Sequence, residues 1–129
     1  MRWAIIGLVL GLSACEYERA GTQVLPQAFL GSEVKLLAVD LVEITVTVAR
    51  PRPGAMLAYS DCVAAGYALI RGLKYARRVA GFPLATQRGK ADVVRERWTY
   101  LVTDLTPAVP AQTASRIAGD CRSANIPTI

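Results

Sequence analysis

The chain predicts an α+β fold, a small β-α-β-β domain with one amphipathic helix packed on a mainly antiparallel sheet. Three observations point there. Val42, Ile44, Val46 and Val48 alternate with Glu43, Thr45 and Thr47, the period-two pattern of a strand with one buried and one wet face. Residues 57–80 place Tyr59, Cys62, Val63, Gly66, Leu69, Ile70, Leu73, Ala76 and Ala80 at three- and four-residue steps, the stripe of an amphipathic helix. Residues 93–105 return to alternation, with Trp98, Tyr100 and Val102 on one side and Arg97, Thr99 and Thr103 on the other. A helix stripe laid on one sheet face is a standard way for a short chain to bury both.

Each element has its own boundaries. The first strand is expected within residues 34–50 and ends at "ARPRPG", because Pro51 and Pro53 cannot donate to a central ladder. The helix starts at a Ser60 or Asp61 cap, or nearer Met56, with Arg71, Lys74 and Arg78 on its wet side. Gly81 and Pro83 are expected to stop it. "ATQRGKAD" reads as a loop, "TPAVPAQ" as a turn, "TASRIAGDC" as a third strand and "RSANIPTI" as an extended tail. Residues 32–129 thus form a single domain, in keeping with a chain of 129 residues.

The N-terminus reads differently. Arg2 precedes "WAIIGLVLGL", an uncharged run too short for the roughly 20 residues a membrane-spanning helix needs. A cleaved leader and an ordinary buried helix with a core cysteine are the two readings. Two glycines in the run, no N-cap and the abrupt change to Glu16-Tyr17-Glu18-Arg19 favour the leader. Leu12-Ser13-Ala14-Cys15 resembles the lipobox of small bacterial lipoproteins. That resemblance implies a signal peptide over residues 1–14, diacylglycerol on the Cys15 thiol and cleavage before Cys15. Acylation of the new amino group, with palmitate or a similar chain, completes an anchor firmer than one chain provides. Residues 15–31 become the lipidated N-terminus and tether. Glu16, standing where an aspartate favours retention at the inner membrane, implies the periplasmic face of the outer membrane, with the inner membrane as the alternative.

Composition narrows the chemistry. The chain has no histidine, so no Ser-His-Asp or Cys-His arrangement exists and no imidazole can ligate a metal. General acid–base work would fall to shifted carboxylates, lysines or tyrosines. No metal site and no cofactor is expected. The formal charge of +5 permits an anionic partner, while a nucleic-acid surface would need a sharper basic stripe with stacking aromatics. No nucleic-acid partner is expected.

With Cys15 assigned to the anchor, Cys62 and Cys121 remain. In an oxidising compartment a disulfide between them is the leading expectation, with free buried thiols and a reactive thiol as the alternatives. Arg71, Lys74, Arg77, Arg78, Arg88 and Lys90 fall within one stretch without acids. They form either a contact surface for an anionic partner or an ordinary solvated face near a helix C-terminus, where cations are favoured. Trp98, Tyr100, Tyr67 and Tyr75 line either a pocket or the core. Three functions follow: a membrane-anchored structural or docking subunit that meets other envelope proteins, a periplasmic lipid- or glycan-binding module, and a histidine-free hydrolase. The docking subunit, which is not an enzyme, is the preferred expectation.

Overall fold

The computed structural model describes residues 25–129; the expected leader, Cys15 and most of the expected tether lie outside them. The fold is α+β, a five-stranded antiparallel sheet with two helices. The strands are β1 (Ala28–Leu36), β2 (Leu41–Ala49), β3 (Tyr75–Arg78), β4 (Ala85–Arg88) and β5 (Val93–Thr103). Helix α1 (Ala55–Ile70) lies between β2 and β3, and α2 (Ala114–Ser123) follows β5. The expected order β-α-β-β is therefore enlarged to β-β-α-β-β-β-α. None of the helices among the described residues is long and apolar enough to cross a membrane.

The sheet runs β1-β2-β5-β3, with β4 also on β5. β2 pairs with β5 over its whole length, from Leu41↔Leu101 to Ala49↔Val93. Val42, Ile44, Val46 and Val48 are fully buried, and Val94, Trp98, Tyr100 and Val102 lie beside them on the same face. The alternation in the sequence thus marks the core correctly. Burying each such side chain is worth about 1.5–3 kcal/mol, so this double row is the main source of stability.

The expected strand over residues 34–50 is in fact a hairpin. β1 turns through residues 37–40 into β2, with Leu37 and Ala38 N–H groups donating to the Leu41 carbonyl at 2.9 and 3.0 Å. No glycine or proline marks that turn in "LLAVDL", so its apolar residues read as unbroken strand. β1 also starts at Ala28, inside the expected tether. Its edge is interrupted by a bulge between Phe29 and Gly31, where Gly31 has φ 140°.

The expected helix over residues 57–80 ends at Ile70. Gly72 takes φ 73° just after the end. Its N–H donates to the Leu69 carbonyl at 3.0 Å and the Leu73 N–H donates to the Ala68 carbonyl at 2.8 Å, the paired bonds of a Schellman stop. Gly81 and Pro83 instead belong to the loop between β3 and β4, both of which pair with β5. Leu69 and Ile70 are 42% and 67% exposed rather than core, and Tyr75, Ala76 and Ala80 lie beyond the helix.

"TASRIAGDC" forms helix α2, not a strand. Thr113 caps it by accepting the Arg116 N–H at 3.2 Å. Ala114, Ala118 and Cys121 are buried at helical spacing, facing α1. The Cys62–Cys121 disulfide joins the two helices, with Cα atoms 5.9 Å apart and the cysteines 59 positions apart in sequence. The tail folds back as well: a Cβ on Gly66 would come within 3.1 Å of the Ile129 backbone nitrogen, so only glycine admits that approach without displacement.

Ile44→Asp places an unpaired charge at a fully buried site and is expected to abolish cooperative unfolding, monitored by circular dichroism. Removing the disulfide as the Cys62→Ala/Cys121→Ala variant is expected to lower stability by up to about 4 kcal/mol. Urea titration with and without the bond measures the difference.

Candidate functional site

α1 brings two polar side chains, Ser60 and Asp61, to the side of the helix that meets β5 and β3. Ser60 is fully buried. Its Oγ lies 2.9 Å from the Tyr100 hydroxyl and 3.0 Å from the Leu57 carbonyl oxygen. The Tyr100 hydroxyl donates to Asp61 Oδ1 at 2.5 Å, so it accepts from Ser60, whose proton is shared with the Leu57 carbonyl. Arg78 completes the set from β3. Its Nε sits 3.2 Å from the same Asp61 oxygen, and both side chains are about one-third exposed (36% and 31%).

The register explains how they converge. Arg78 is paired with Tyr100 across β3 and β5, so both side chains leave the sheet on the face covered by α1. Burial raises the Asp61 pKa above the ordinary carboxylate value, against the opposing pull of the Tyr100 hydroxyl and the Arg78 charge. The Tyr100 hydroxyl is pushed well above the usual phenol range, first by burial and then by the Asp61 carboxylate. Both shifts resist charge in a partly dry place. Arg78 offsets that cost and keeps the ion pair at the surface.

Beside this cluster opens a cleft of about 450 Å³. β3 supplies one wall through Ala76, Arg77 and Arg78. α1 forms the floor at Ala58, Asp61 and Cys62, and α2 stands opposite with Ile117, Asp120 and Cys121. Ala111 and Gln112, in the segment leading to α2, close one lip. The disulfide therefore lies in the floor of the cleft and holds its far wall in place.

The expected disulfide pair is joined, whereas the six cations do not share one face. Arg77 and Arg78 are successive residues of β3 and leave on opposite faces of the sheet. Arg78 pairs with Asp61. Arg71, at the end of α1, donates to the Val39 carbonyl at 3.1 Å and to the Tyr67 hydroxyl at 3.1 Å, and its guanidinium lies over the Tyr67 ring. Lys74 precedes β3. Arg88 sits at the end of β4 against a second cavity of about 380 Å³ near Trp98, and Lys90 begins a short 3-10 turn. Trp98 and Tyr100 are core residues, while Tyr75 belongs to β3 and not to the helix. Among the described residues, no three His, Cys, Asp or Glu side chains form a group able to hold a metal ion.

The Ser60–Asp61–Arg78–Tyr100 cluster was not foreseen from the sequence. One signal existed, since Asp61 is the sole acid in an otherwise apolar and basic helical run. Its partner Tyr100 lies 39 positions away, beyond any local pattern.

The geometry defines a class, a small disulfide-clipped α+β domain with a preformed cleft between an edge strand and a short helix. A family described as the YNQ4 C-terminal domain matches residues 29–125, and the chain belongs to that family. The match begins in β1 and ends just past α2, so it coincides with the folded unit. No curated protein and no solved structure gives a significant match.

The raised Asp61 pKa has a defined consequence for stability. The folded state holds the proton more tightly than the unfolded chain, so this group's contribution is full below the unfolded pKa. It is lost as pH rises through the higher folded value. Asp61→Asn is expected to remove that downward slope, read by urea unfolding at a series of pH values. Tyr100→Phe removes a hydrogen bond that lowers the Asp61 pKa. It is expected to raise that pKa further and to cost about 1–3 kcal/mol, from the lost hydrogen bonds of the Tyr100 hydroxyl to Asp61 and Ser60, with Ser60 keeping the Leu57 carbonyl.

Proposed function

We propose that the chain is a lipid-anchored docking protein of the bacterial envelope, held at the periplasmic face of the outer membrane by acylated Cys15 and meeting other envelope proteins through its folded domain. The lipobox-like Leu12-Ser13-Ala14-Cys15 supports the anchor, and a disulfide between Cys62 and Cys121 fits an oxidising compartment. The observation that carries the docking role is the cleft beside Asp61. Its central charges are committed to each other, with Tyr100 and Arg78 both on the same Asp61 carboxylate oxygen, and the rest of its lining is largely apolar apart from Arg77 and Asp120. Such a surface binds rather than reacts. The dispersal of the six cations over different faces favours a protein partner over an anionic lipid or glycan.

One observation favours a second reading, a histidine-free hydrolase: Asp61 and Asp120 line the same cleft, and Asp61 holds its proton above the ordinary range. Two carboxyl groups facing one cleft are the minimum for acid–base hydrolysis. The Arg78 pairing of Asp61 weighs against it.

Two measurements test the docking proposal. Cys15→Ala is expected to abolish incorporation of labelled palmitate and to move the protein from the membrane to the soluble fraction. Crosslinking in living cells, followed by mass spectrometry, is expected to recover one or a few envelope proteins through residues at the cleft. Palmitate labelling that survives Cys15→Ala, or a wild-type chain without specific crosslinks, would overturn the proposal.

A further inference from the structure

Among the described residues β3 pairs with β5 alone, and its hydrogen-bonding register shows which groups lie on its other edge. The Val79 N–H donates to the Thr99 carbonyl at 2.9 Å, which makes Val79 and Thr99 a hydrogen-bonded pair of the antiparallel ladder. Because such pairs alternate along a ladder, Arg77 with Leu101 and Tyr75 with Thr103 are hydrogen-bonded as well. Ala76 and Arg78 lie between them. Their N–H and C=O groups therefore point away from β5, toward the cleft.

The same edge already accepts one backbone donor from that side. Two positions before Ala76, the Lys74 carbonyl takes the Ala114 N–H at 2.7 Å, and the Lys74 N–H donates to Asp104 Oδ1 at 2.9 Å. That contact seats the start of α2 against the strand and closes one end of the cleft. Beyond that contact a groove of about 450 Å³ lies between the strand and the helix. β1, the edge strand on the other side of the sheet, is interrupted by its bulge, a feature that discourages pairing.

We infer that this groove receives an extended segment of a polypeptide partner, which adds a strand to β3 by bonding to the backbone of Ala76 and Arg78. The inference rests on the docking reading and specifies the partner of the same site. The chemistry of the groove selects this occupant. Two N–H and C=O sets, spaced one residue apart, match the main-chain repeat of a β-strand. The floor of Ala58 and the Cys62–Cys121 bridge, with Ile117 on the opposite wall, accepts small apolar side chains. Arg78 is paired with Asp61, and the two other charged residues of the lining, Arg77 and Asp120, are of opposite sign, so the groove has no net charge to match and takes an uncharged segment. The disulfide sets the distance between strand and helix before binding, which spares the ordering cost.

The test uses the full chain, purified in detergent with its disulfide intact, and phage-displayed random octapeptides as the probe. Peptides enriched on the protein are expected to have small apolar residues at alternate positions. On binding they should slow hydrogen exchange at the Ala76 and Arg78 amides. Two variants challenge the site by different routes. Ala76→Pro removes a donor that β5 does not use, and Ala58→Phe fills the floor without touching the edge. Each is expected to weaken binding by about tenfold or more. Thermal melting and an intact disulfide confirm folding, and if Ala76→Pro unfolds the domain, Ala58→Phe alone decides. Absence of any enriched peptide, protection located elsewhere, or affinity unchanged in Ala58→Phe overturns the inference. The two proposals separate through crosslinking in cells. Crosslinks that persist in Ala58→Phe leave the docking role standing and refute the groove, whereas a wild-type chain with no crosslinks refutes the docking role itself.

Discussion

Helix α1 is buried from two directions, and most of the molecule follows from that. On one side lie the fully buried valines of β2 and the aromatic residues of β5; on the other lie α2 and the C-terminal tail. A helix pressed from both sides needs small residues where its neighbours approach most closely, and Ala64, Ala65, Gly66 and Ala68 meet that need. It also cannot present a conventional wet stripe. Ser60 is fully buried and must find a partner in the core, because an unsatisfied hydroxyl there is costly. The Leu57 carbonyl and Tyr100 supply it, and Tyr100 passes the polar chain outward to Asp61 and Arg78. The buried cluster and the cleft thus have one origin, the place where two-sided cover of α1 stops.

The disulfide carries a second share of the architecture. α2 has only 10 residues, fewer than an isolated helix needs to be stable in water. A Thr113 cap, three buried residues at helical spacing and the Cys62–Cys121 bond hold it in place. The sheet holds β3 independently. The two walls of the cleft are therefore fixed by different means, one by a ladder of hydrogen bonds and one by a covalent bond through the floor. A cleft constructed this way exists before any ligand arrives.

Local periodicity made β2 and β5 readable, because a strand buried on one face must alternate and both did so with branched or aromatic residues. The Cys62–Cys121 pairing was readable from parity, since setting Cys15 aside leaves two cysteines. Three features escaped for physical reasons. The turn over residues 37–40 has neither glycine nor proline, so its apolar residues continued the strand pattern. Leu73, Ala76 and Ala80 happen to keep helical spacing beyond Gly72, which hid a stop that depends on one left-handed residue. Ala114, Ile117, Ala118 and Cys121 also stand at helical spacing, but the run is short and contains Gly119. Arg77 and Arg78 looked like members of one cationic stretch; a strand sends them to opposite faces.

Residue order by itself determined the α+β class, the two central strands, the helix against them and the cysteines that could pair. All of these depend on periodicity or on residue type, which a chain displays without folding. Only the tertiary structure decided where α1 ends, that its continuation becomes an edge strand, and that Asp61, Arg78 and Tyr100 meet at the mouth of a cleft. Those outcomes depend on pairing between segments distant in sequence, and on the competition of β5 and α1 for the residues between them. No local pattern encodes which neighbour wins.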